Sequence, residues 1–386
     1  MVMEPFRIHV SDEVLDDLRY RLNHVRWPEQ VKDAGWGRGT DLAALQELVA
    51  YWREQYDWRK QEAELNGFSQ FRSSIDGIDV HFVHEKGKGP NPLPIVLSHG
   101  WPDSFLRYRK IIPLLTDPAR FGGDPEDAFD VIVPSLPGFG FSKHPQLSSF
   151  NNNSAAGVWA KLMTEELGYR TFAAAGGDMG SGVTRYLAAN HPELLIGIHL
   201  TDIGIIRGLM NAPDDQLSEE ELRYKRNAQE WVSREGGYMS IQSTKPQTLA
   251  YGLSDSPVGL AGWIMEKFHG WCDPRGGIGR TISRDELLTN IMIYWVTNTI
   301  GSTANMYYEN THTLPPLGRI EVPTALALFP EDILLPPKEW AMRNLNITRW
   351  TPMLRGGHFT AMEEPELLAE DIRAFYRELR RNRTSG

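Results

Sequence analysis

The chain has 386 residues, a net charge of −10 and one cysteine, and these numbers exclude several classes of protein. The acidic balance argues against a nucleic-acid-binding protein, which needs a basic surface to neutralise phosphates. Cys272 has no second cysteine for a disulfide or a cysteine-based zinc site, so we expect a reducing compartment. The N-terminus lacks the pattern of a signal peptide, and no stretch approaches about 18 uninterrupted apolar residues. We therefore expect a soluble, cytoplasmic protein without a membrane anchor.

The first 66 residues predict a helical extension. Ser11 stands where a helix N-cap is expected, and the acidic residues after it suit the positive end of the helix dipole. Apolar residues then recur on one helical face, and Pro28 should end the helical segment. A second amphipathic pattern covers residues 42–52. We expect the extension to pack on the rest of the protein.

Short apolar runs that alternate with helical stretches begin after Phe71. A turn at Asp76-Gly77 predicts a hairpin between the first two strands. The later runs are typical of parallel strands buried on both faces. These predicted strands cover residues 94–98, 130–134, 170–175, 194–200, 324–329 and 348–353. Their alternation with helices predicts an α/β fold with a doubly wound, mostly parallel sheet.

This rhythm breaks in the stretch after residue 203, which is rich in helix formers and in Tyr, Trp and Met. A helical insertion that covers one end of the sheet as a cap would have this composition. The sequence thus predicts three parts. They are an N-terminal extension (1–66) packed on core and cap, an α/β core (67–203 and 317–386), and a helical cap (204–316).

Asp178 is the most informative residue of the chain. It follows a predicted strand and precedes a predicted helix from Ser181 to Asn190, and Gly176 and Gly180 flank it at the spacing of a nucleophile elbow. In such an elbow, small residues allow the strand to turn sharply into the helix. The alternative is a glycine-rich turn with a capping aspartate, and the segment alone does not decide between the two. The glycine patterns of nucleotide sites are absent from this segment.

Two loops at the same predicted edge of the sheet could complete an oxyanion hole. The loop after the strand at 94–98 supplies one backbone N–H in this architecture, and the residue after the nucleophile supplies the other. These donors would be Trp101 and Met179. Pro102 fixes the backbone beyond the first donor, and we interpret His99 as a buried residue that anchors the loop. The turn that contains Phe139 could line the same end of the sheet.

An acid and a histidine follow Asp178 in the chain order nucleophile, acid, histidine, which is the order of the catalytic triad in α/β-hydrolases. His358 lies just past the last predicted strand, where a catalytic base is expected. Asp332 and Glu331 both follow the strand at 324–329 and could orient this histidine, and Asp202 is a weaker candidate. The remaining histidines are scattered or, like those on the first hairpin, face opposite ways, so we expect no metal site.

An aspartate nucleophile narrows the chemistry. A carboxylate that attacks an sp³ carbon forms an alkyl ester, and epoxides and alkyl halides are suitable electrophiles. An epoxide oxygen needs a proton donor, which Tyr238 together with Tyr307 or Tyr308 could supply from the predicted cap. A haloalkane dehalogenase is disfavoured because methionine, not tryptophan, follows Asp178. A non-catalytic binding protein on this fold is disfavoured because all members of the triad are present.

The sequence resembles the microsomal-type epoxide hydrolases, a family with the α/β-hydrolase fold that includes juvenile hormone epoxide hydrolases and soluble bacterial relatives. The resemblance covers nearly the whole chain, including the N-terminal piece from Tyr51 to Asn66. Its motifs are HGWP from His99, GGDMGS from Gly176 and RGGHFTAMEEPELLAEDIR from Arg355. The segment TKPQTLAYGLSDSPVGLAGWIMEKF from Thr244 is the most specific, because no constraint of the fold demands it.

The resemblance implies a role for each candidate residue. Asp178 matches the nucleophile, His358 the base, Asp332 the acid, and Tyr238 with Tyr307 the proton donors of the cap, while Tyr308 ranks below Tyr307. We further predict a substrate pocket that includes Trp101, Pro102, Phe139 and Phe359.

The resemblance also sets expectations about partners. We expect no cofactor, and a small hydrophobic epoxide and water as the reactants. An epoxide of a secondary metabolite, such as an enediyne antibiotic, and a homodimeric assembly are further hypotheses. The membrane anchor of the mammalian members is missing, which again favours a soluble enzyme.

Overall fold

A nine-stranded, mostly parallel sheet forms the centre of the computed structural model, which describes residues 3–204, 207–276 and 278–384. The strand order is β1-β2-β3-β5-β4-β6-β7-β8-β9. The bounds are β1 Glu4–Pro5, β2 Gln70–Ile75, β3 Ile78–Glu85, β4 Leu93–Ser98, β5 Phe129–Pro134, β6 Phe172–Gly176, β7 Leu195–Leu200, β8 Ile320–Leu328 and β9 Leu345–Pro352.

The pairing of the strands agrees with the α/β prediction. The β1–β2, β2–β3 and β3–β5 pairs are antiparallel. The other pairs are parallel, namely β5–β4, β4–β6, β6–β7, β7–β8 and β8–β9. Each predicted strand is present with shifted ends. The sequence did not indicate β1, because two residues carry no periodicity and this strand exists only through its pairing with β2.

Three helices form the N-terminal extension: α1 (Asp12–Asn23), α2 (Leu42–Glu54) and α3 (Trp58–Leu65). Ser11 caps α1 by accepting the Val14 N–H at 3.4 Å, as predicted, but the helix ends at Asn23 rather than near Pro28. Helix α3 was not predicted from the sequence. It begins because the Asp57 carboxylate caps its first turn, and it buries both of its ends.

The extension contacts both the core strands and the cap. The Leu65 carbonyl accepts a hydrogen bond from the Gln70 side chain of β2 at 2.9 Å, and the Phe6 N–H donates to the Gln70 carbonyl at 2.8 Å. On the other side, the Tyr51 hydroxyl donates to Asp285 at 2.8 Å. The extension therefore lies between two other parts of the chain rather than standing apart.

The remaining helices fall into a core group and a cap group. In the core, α6 packs against α5 and β6, while α16 packs against α4 and β7, as expected for helices on both faces of a parallel sheet. The core helices are α4 Ile111–Thr116, α5 Asn152–Lys161, α6 Met179–Asn190, α14 Lys338–Asn344, α15 Thr360–Glu363 and α16 Pro365–Thr384. The cap helices are α7 Arg207–Asn211, α8 Glu219–Glu235, α9 Gly237–Thr244, α10 Pro246–Asp255, α11 Pro257–Trp271, α12 Arg284–Thr297 and α13 Ile300–His312. In the described ranges, no helix has the length and apolar character needed to cross a membrane.

Candidate active site

Asp178 occupies a strained turn between a strand and a helix. It lies directly after β6 and Gly177 and forms the N-cap of α6, with φ 56° and ψ −129°. A non-glycine residue in this region costs about 1–3 kcal/mol and persists only where the surroundings fix it. Here the backbone N–H of Asp178 donates to the Asp202 carboxylate at 2.6 Å, which holds the turn from behind.

The glycines around Asp178 are required by close backbone approach. A Cβ atom on Gly180 would lie 1.9 Å from the carbonyl oxygen of Ser98, at the end of the neighbouring strand β4. A Cβ atom on Gly176 would lie 2.3 Å from the carbonyl oxygen of Gly180. Neither position can hold a larger residue without moving the backbone, so the Gly-x-Asp-x-Gly spacing is a consequence of packing.

The loop after β4 delivers a hydrogen-bond donor to this carboxylate. The backbone N–H of Trp101 donates to Asp178 Oδ1 at 2.8 Å, and Met179, the second predicted donor, begins α6. Asp103 supports the loop by accepting the Gly100 N–H at 2.8 Å. His99 is fully buried and accepts the Leu136 N–H at 3.1 Å, which agrees with a role in anchoring the loop.

His358 lies between two carboxylates. Its Nδ1 is 2.7 Å from Asp332 Oδ1, and its Nε2 is 3.3 Å from Asp178 Oδ2. Of the two predicted acids, the structure brings Asp332 to the imidazole, whereas Glu331 is 39% exposed and lies 3.4 Å from Arg275. Asp202, the weaker candidate, bonds the backbone N–H groups of Asp178 and Gly204 instead.

Burial and neighbouring charges shift the pKa values of His358 and Asp202. Burial lowers the pKa of His358, but the neighbouring Asp332 and Asp178 carboxylates raise it, and the net pKa is well above the usual value. The pKa of Asp202 is raised to about 6, mainly by burial and then by the negative charge of Asp332. An imidazole that holds its proton while Asp178 is charged will release it more readily once that charge is removed.

The two predicted phenols come together above Asp178. The ring of Tyr238 stacks on Trp101 at a centroid distance of 5.2 Å, and the ring of Tyr307 meets Tyr238 edge-on at 5.9 Å. Burial raises the pKa of both hydroxyls well above the usual value, so both are neutral donors near neutral pH. Tyr308, the lower-ranked candidate, is 36% exposed and stacks on His312 away from the cluster.

A cavity of about 250 Å³ joins the triad to the cap. It is lined by residues of the elbow, the cap and the loop after β8, namely Asn152, Asp178, Met179, Gly182, Arg185, Asp202, Gly204, Trp231, Tyr238, Met239, Tyr307, Asn310, Thr311, Asp332, Ile333, Leu334 and His358. A wider groove that shares Trp231, Asp332, Ile333 and Leu334 adjoins it along helix α8.

The predicted substrate pocket differs from this lining. The cavity surface does not include Trp101, Pro102, Phe139 or Phe359. The Trp101 ring is buried behind Tyr238, and the Pro102 carbonyl accepts a hydrogen bond from Asn290 at 2.7 Å. Phe139 packs on His99, and Phe359 stacks on Phe268 at 4.0 Å. These side chains therefore support the site from behind the residues that line the cavity.

The loop that carries His358 is bonded to the cap. The backbone N–H of His358 donates to the Trp271 carbonyl at the end of α11, at 2.8 Å. Asp273 accepts the Gly356 N–H at 3.0 Å and donates its own N–H to Glu363 at 2.7 Å. From the core side, buried Arg107 donates to the His358 carbonyl at 2.8 Å while pairing with Asp103. Sequence patterns do not predict these contacts, because their partners lie far apart in the chain.

Within residues 3–204, 207–276 and 278–384, no group of three or more His, Cys, Asp or Glu side chains is arranged to hold a metal ion. The site brings together a carboxylate, a histidine–aspartate pair, two phenols and the Trp101 N–H donor.

Two family descriptions match this chain. The sequence model of the epoxide hydrolase N terminus matches residues 3–108, and that of the alpha/beta hydrolase fold matches residues 94–235. The sheet and helices described above therefore form an α/β-hydrolase fold, and the N-terminal extension has a counterpart among epoxide hydrolases.

Individual proteins match over almost the whole chain. A protein of Stigmatella aurantiaca, provisionally named an epoxide hydrolase, is 45% identical over 377 residues, which cover 97% of this chain and 85% of the relative. Epoxide hydrolase 1 of Sus scrofa is 38% identical over 408 residues, with 97% and 88% covered. The solved structure of Aspergillus niger epoxide hydrolase matches with a TM-score of 0.86 at 29% identity, covering 98% of this chain and 97% of its own.

Proposed function

The chain belongs to the microsomal-type epoxide hydrolase family and is an epoxide hydrolase, and from this premise we propose that Asp178 opens the epoxide through a covalent ester. The observation that carries the proposal is convergence on one cavity. Asp178, the His358–Asp332 pair and the hydroxyl-bearing rings of Tyr238 and Tyr307 all line the same 250 Å³ space. A nucleophile, a base and two acids are the groups that a two-step hydrolysis needs.

In the first step, Asp178 attacks an epoxide carbon. Oδ1 accepts the Trp101 N–H, so Oδ2 is the oxygen that forms the new C–O bond. The epoxide C–O bond at that carbon breaks, and its electron pair stays on the oxygen. Tyr238 or Tyr307 donates a proton to this oxygen as it leaves, because a bare alkoxide is a poor leaving group. The product of the step is a hydroxyalkyl ester on Asp178.

In the second step, water hydrolyses the ester. Esterification removes the negative charge of Asp178, which is one of the causes that raise the pKa of His358. The pKa of His358 therefore falls, the ring gives up its proton, and the neutral imidazole takes a proton from water through Nε2 while Asp332 holds Nδ1. The water oxygen adds to Cγ of Asp178, and the Trp101 and Met179 N–H groups stabilise the oxyanion. The ester C–O bond then breaks, and the departing alkoxide takes the proton held by His358, which releases the diol. The second proton of the added water returns to the tyrosinate, so the Asp178 carboxylate and the phenol are both restored.

The finer points of substrate and setting rest on the sequence resemblance. We propose that the chain is divided into the N-terminal extension, the α/β core and the helical cap, and that the extension packs on both the core and the cap. A cytoplasmic location, a homodimer and a secondary-metabolite epoxide as substrate are proposed on the same basis. Each of these statements concerns where and on what the site acts, and none changes the chemistry above.

An assay that measures diol and halide in parallel tests this function. The purified chain is incubated with a panel of aryl and aliphatic epoxides and with chloroalkanes and bromoalkanes of matched size. We expect diols from epoxides, no halide release, and loss of diol formation in Asp178→Ala. Halide release without diol formation would instead favour the dehalogenase alternative, and neither product would favour a binding protein.

A further inference from the structure

Arg185 brings a positive charge to the wall of the active-site cavity. Met179, Gly182 and Arg185 lie on one face of α6, and all three line the cavity with Asp178. Seven residues separate Arg185 from Asp178, which places its Cα about 10 Å further along the helix axis. Because the Cα–Cβ bonds of a helix tilt toward its N-terminus, the Arg185 side chain leaves the backbone in the direction of Asp178.

The guanidinium of Arg185 lacks a bonded partner in the part of the chain that the structure describes. Its Nε is closed off from solvent and makes no hydrogen bond there. Burial lowers the pKa of Arg185, and Asp202 offsets this only in part. Arg107, a fully buried arginine of the core, is by contrast paired with Asp103 and bonded to the His358 carbonyl, whereas Arg185 is only partly buried.

Asp202, the acid whose charge acts on Arg185, makes its hydrogen bonds to the backbone. Asp202 accepts the Asp178 N–H with Oδ2 and the Gly204 N–H with Oδ1, so both oxygens of its carboxylate are directed at the backbone. A buried charge without a bonded partner is unfavourable, and an arginine fork is matched best by a carboxylate that accepts two parallel hydrogen bonds. The cavity thus has an electrophile-binding end at Asp178 and an anion-binding end at Arg185.

We propose that Arg185 binds a carboxylate of the substrate, so that the preferred substrates are epoxides bearing an acidic group a few carbons from the ring. The proposal rests on the epoxide hydrolase function and names its substrate class. Arg185 is a specificity-determining residue in this account, and it takes no part in bond making or breaking.

The test compares an acid with its ester. Epoxyhexanoate and its methyl ester carry the same terminal epoxide, so the ratio of their kcat/KM values isolates the contribution of the charge. We expect the wild-type enzyme to prefer the acid and Arg185→Met to lower that ratio by about 10- to 100-fold, mainly through KM. Arg185→Lys should retain part of the preference. Arg223→Met, on the exposed face of α8, is the matched control and should leave the ratio unchanged.

Inhibition of the wild-type enzyme provides a second measurement that needs no variant to fold. Hexanoate should inhibit hydrolysis of the methyl ester more strongly than hexanamide does. A wild-type preference for the ester, an equal loss of both activities in Arg185→Met, or equal inhibition by hexanoate and hexanamide would each overturn the proposal. These three results differ from a failure of the proposed function, in which the wild-type enzyme would form no diol from either substrate.

Discussion

Two regions hold the reacting groups of this enzyme in different ways. The elbow (residues 172–190) carries Asp178, and the histidine junction (residues 271–275 with 355–364) carries His358. The elbow is built from neighbours in sequence, since a strand, a strained residue and a helix follow one another directly. The junction is built from partners 83 to 90 residues apart, which join the end of cap helix α11 to the loop before α15.

This difference predicts a division of labour between the two half-reactions. Attack on the epoxide needs the elbow and the tyrosines, whereas hydrolysis of the ester also needs the position of His358. A change in the elbow should therefore affect both steps. A change in the junction should slow hydrolysis more than alkylation, so ester would accumulate.

The largest effect is expected from His358→Gln. Alkylation of Asp178 should continue, but without a base the ester should persist and turnover should fall by about 10⁴–10⁶-fold. Intact mass spectrometry should then show an adduct equal in mass to the substrate. Asp332→Asn serves as the graded comparison and should slow hydrolysis less, because the imidazole remains. Loss of alkylation in His358→Gln would mean that the junction also serves the first step.

The tyrosine pair should have the next largest effect, and on the first step only. Each phenol can donate to the leaving oxygen, so Tyr238→Phe or Tyr307→Phe should retain partial activity. The double variant should slow alkylation by about 10²–10⁴-fold, the range expected for general acid catalysis. Tyr308→Phe is the control and should be close to neutral, since its ring is exposed. Rapid-quench measurement of ester formation checks this prediction. If the double variant is alkylated at the wild-type rate, neither tyrosine donates a proton and both rings serve only in packing.

The elbow can be broken by a single methyl group. Gly180→Ala places a Cβ 1.9 Å from the Ser98 carbonyl, so we expect a loss of about 1–3 kcal/mol or more in the free energy of unfolding. Gly157→Ala in α5 makes the same chemical change where nothing lies within 4 Å, and it should be neutral or stabilising. Thermal unfolding of the two variants gives the comparison, and equal melting temperatures would show that the elbow tolerates the methyl group.

The smallest effect is expected from Asp273→Ala in the junction. The buried Gly356 N–H then loses its acceptor, which costs about 1–3 kcal/mol and should let the His358 loop shift. We expect ester hydrolysis to slow by about tenfold while alkylation changes little. Asp255→Ala, an exposed cap aspartate paired with Arg21, is the control. Equal slowing of both steps would argue against the division between elbow and junction.

The same contrast explains what the sequence could and could not predict. The elbow was accessible because glycine spacing and strand periodicity are local signals, and they marked Asp178 as a candidate nucleophile. The order of Asp332 and His358 after predicted strands indicated the triad. The geometry then separated Asp332 from its neighbour Glu331, since only Asp332 lies 2.7 Å from the imidazole.

The histidine loop, the pocket lining and the position of Arg185 depend on contacts that leave no local pattern in the sequence. Asp273 accepts one backbone N–H of the histidine loop and Glu363 accepts two, and no periodicity of the sequence encodes such bonds. The pocket prediction favoured aromatic residues next to motifs, but Trp101 and Phe359 became buried supports because other rings stack on them. Arg185 was overlooked because a lone arginine in a helix is usually solvated, and only the fold turns it into the cavity.

The central claim, a covalent ester on Asp178, is tested most directly by one turnover in ¹⁸O-water. Enzyme in excess over an epoxide is allowed to react once, and the peptide that contains Asp178 and the diol are analysed by mass spectrometry. Because water adds to Cγ of the ester and not to the substrate carbon, we predict ¹⁸O in the Asp178 carboxylate and none in the first diol formed. Label in the diol with an unlabelled Asp178 would mean direct hydration and would contradict the account.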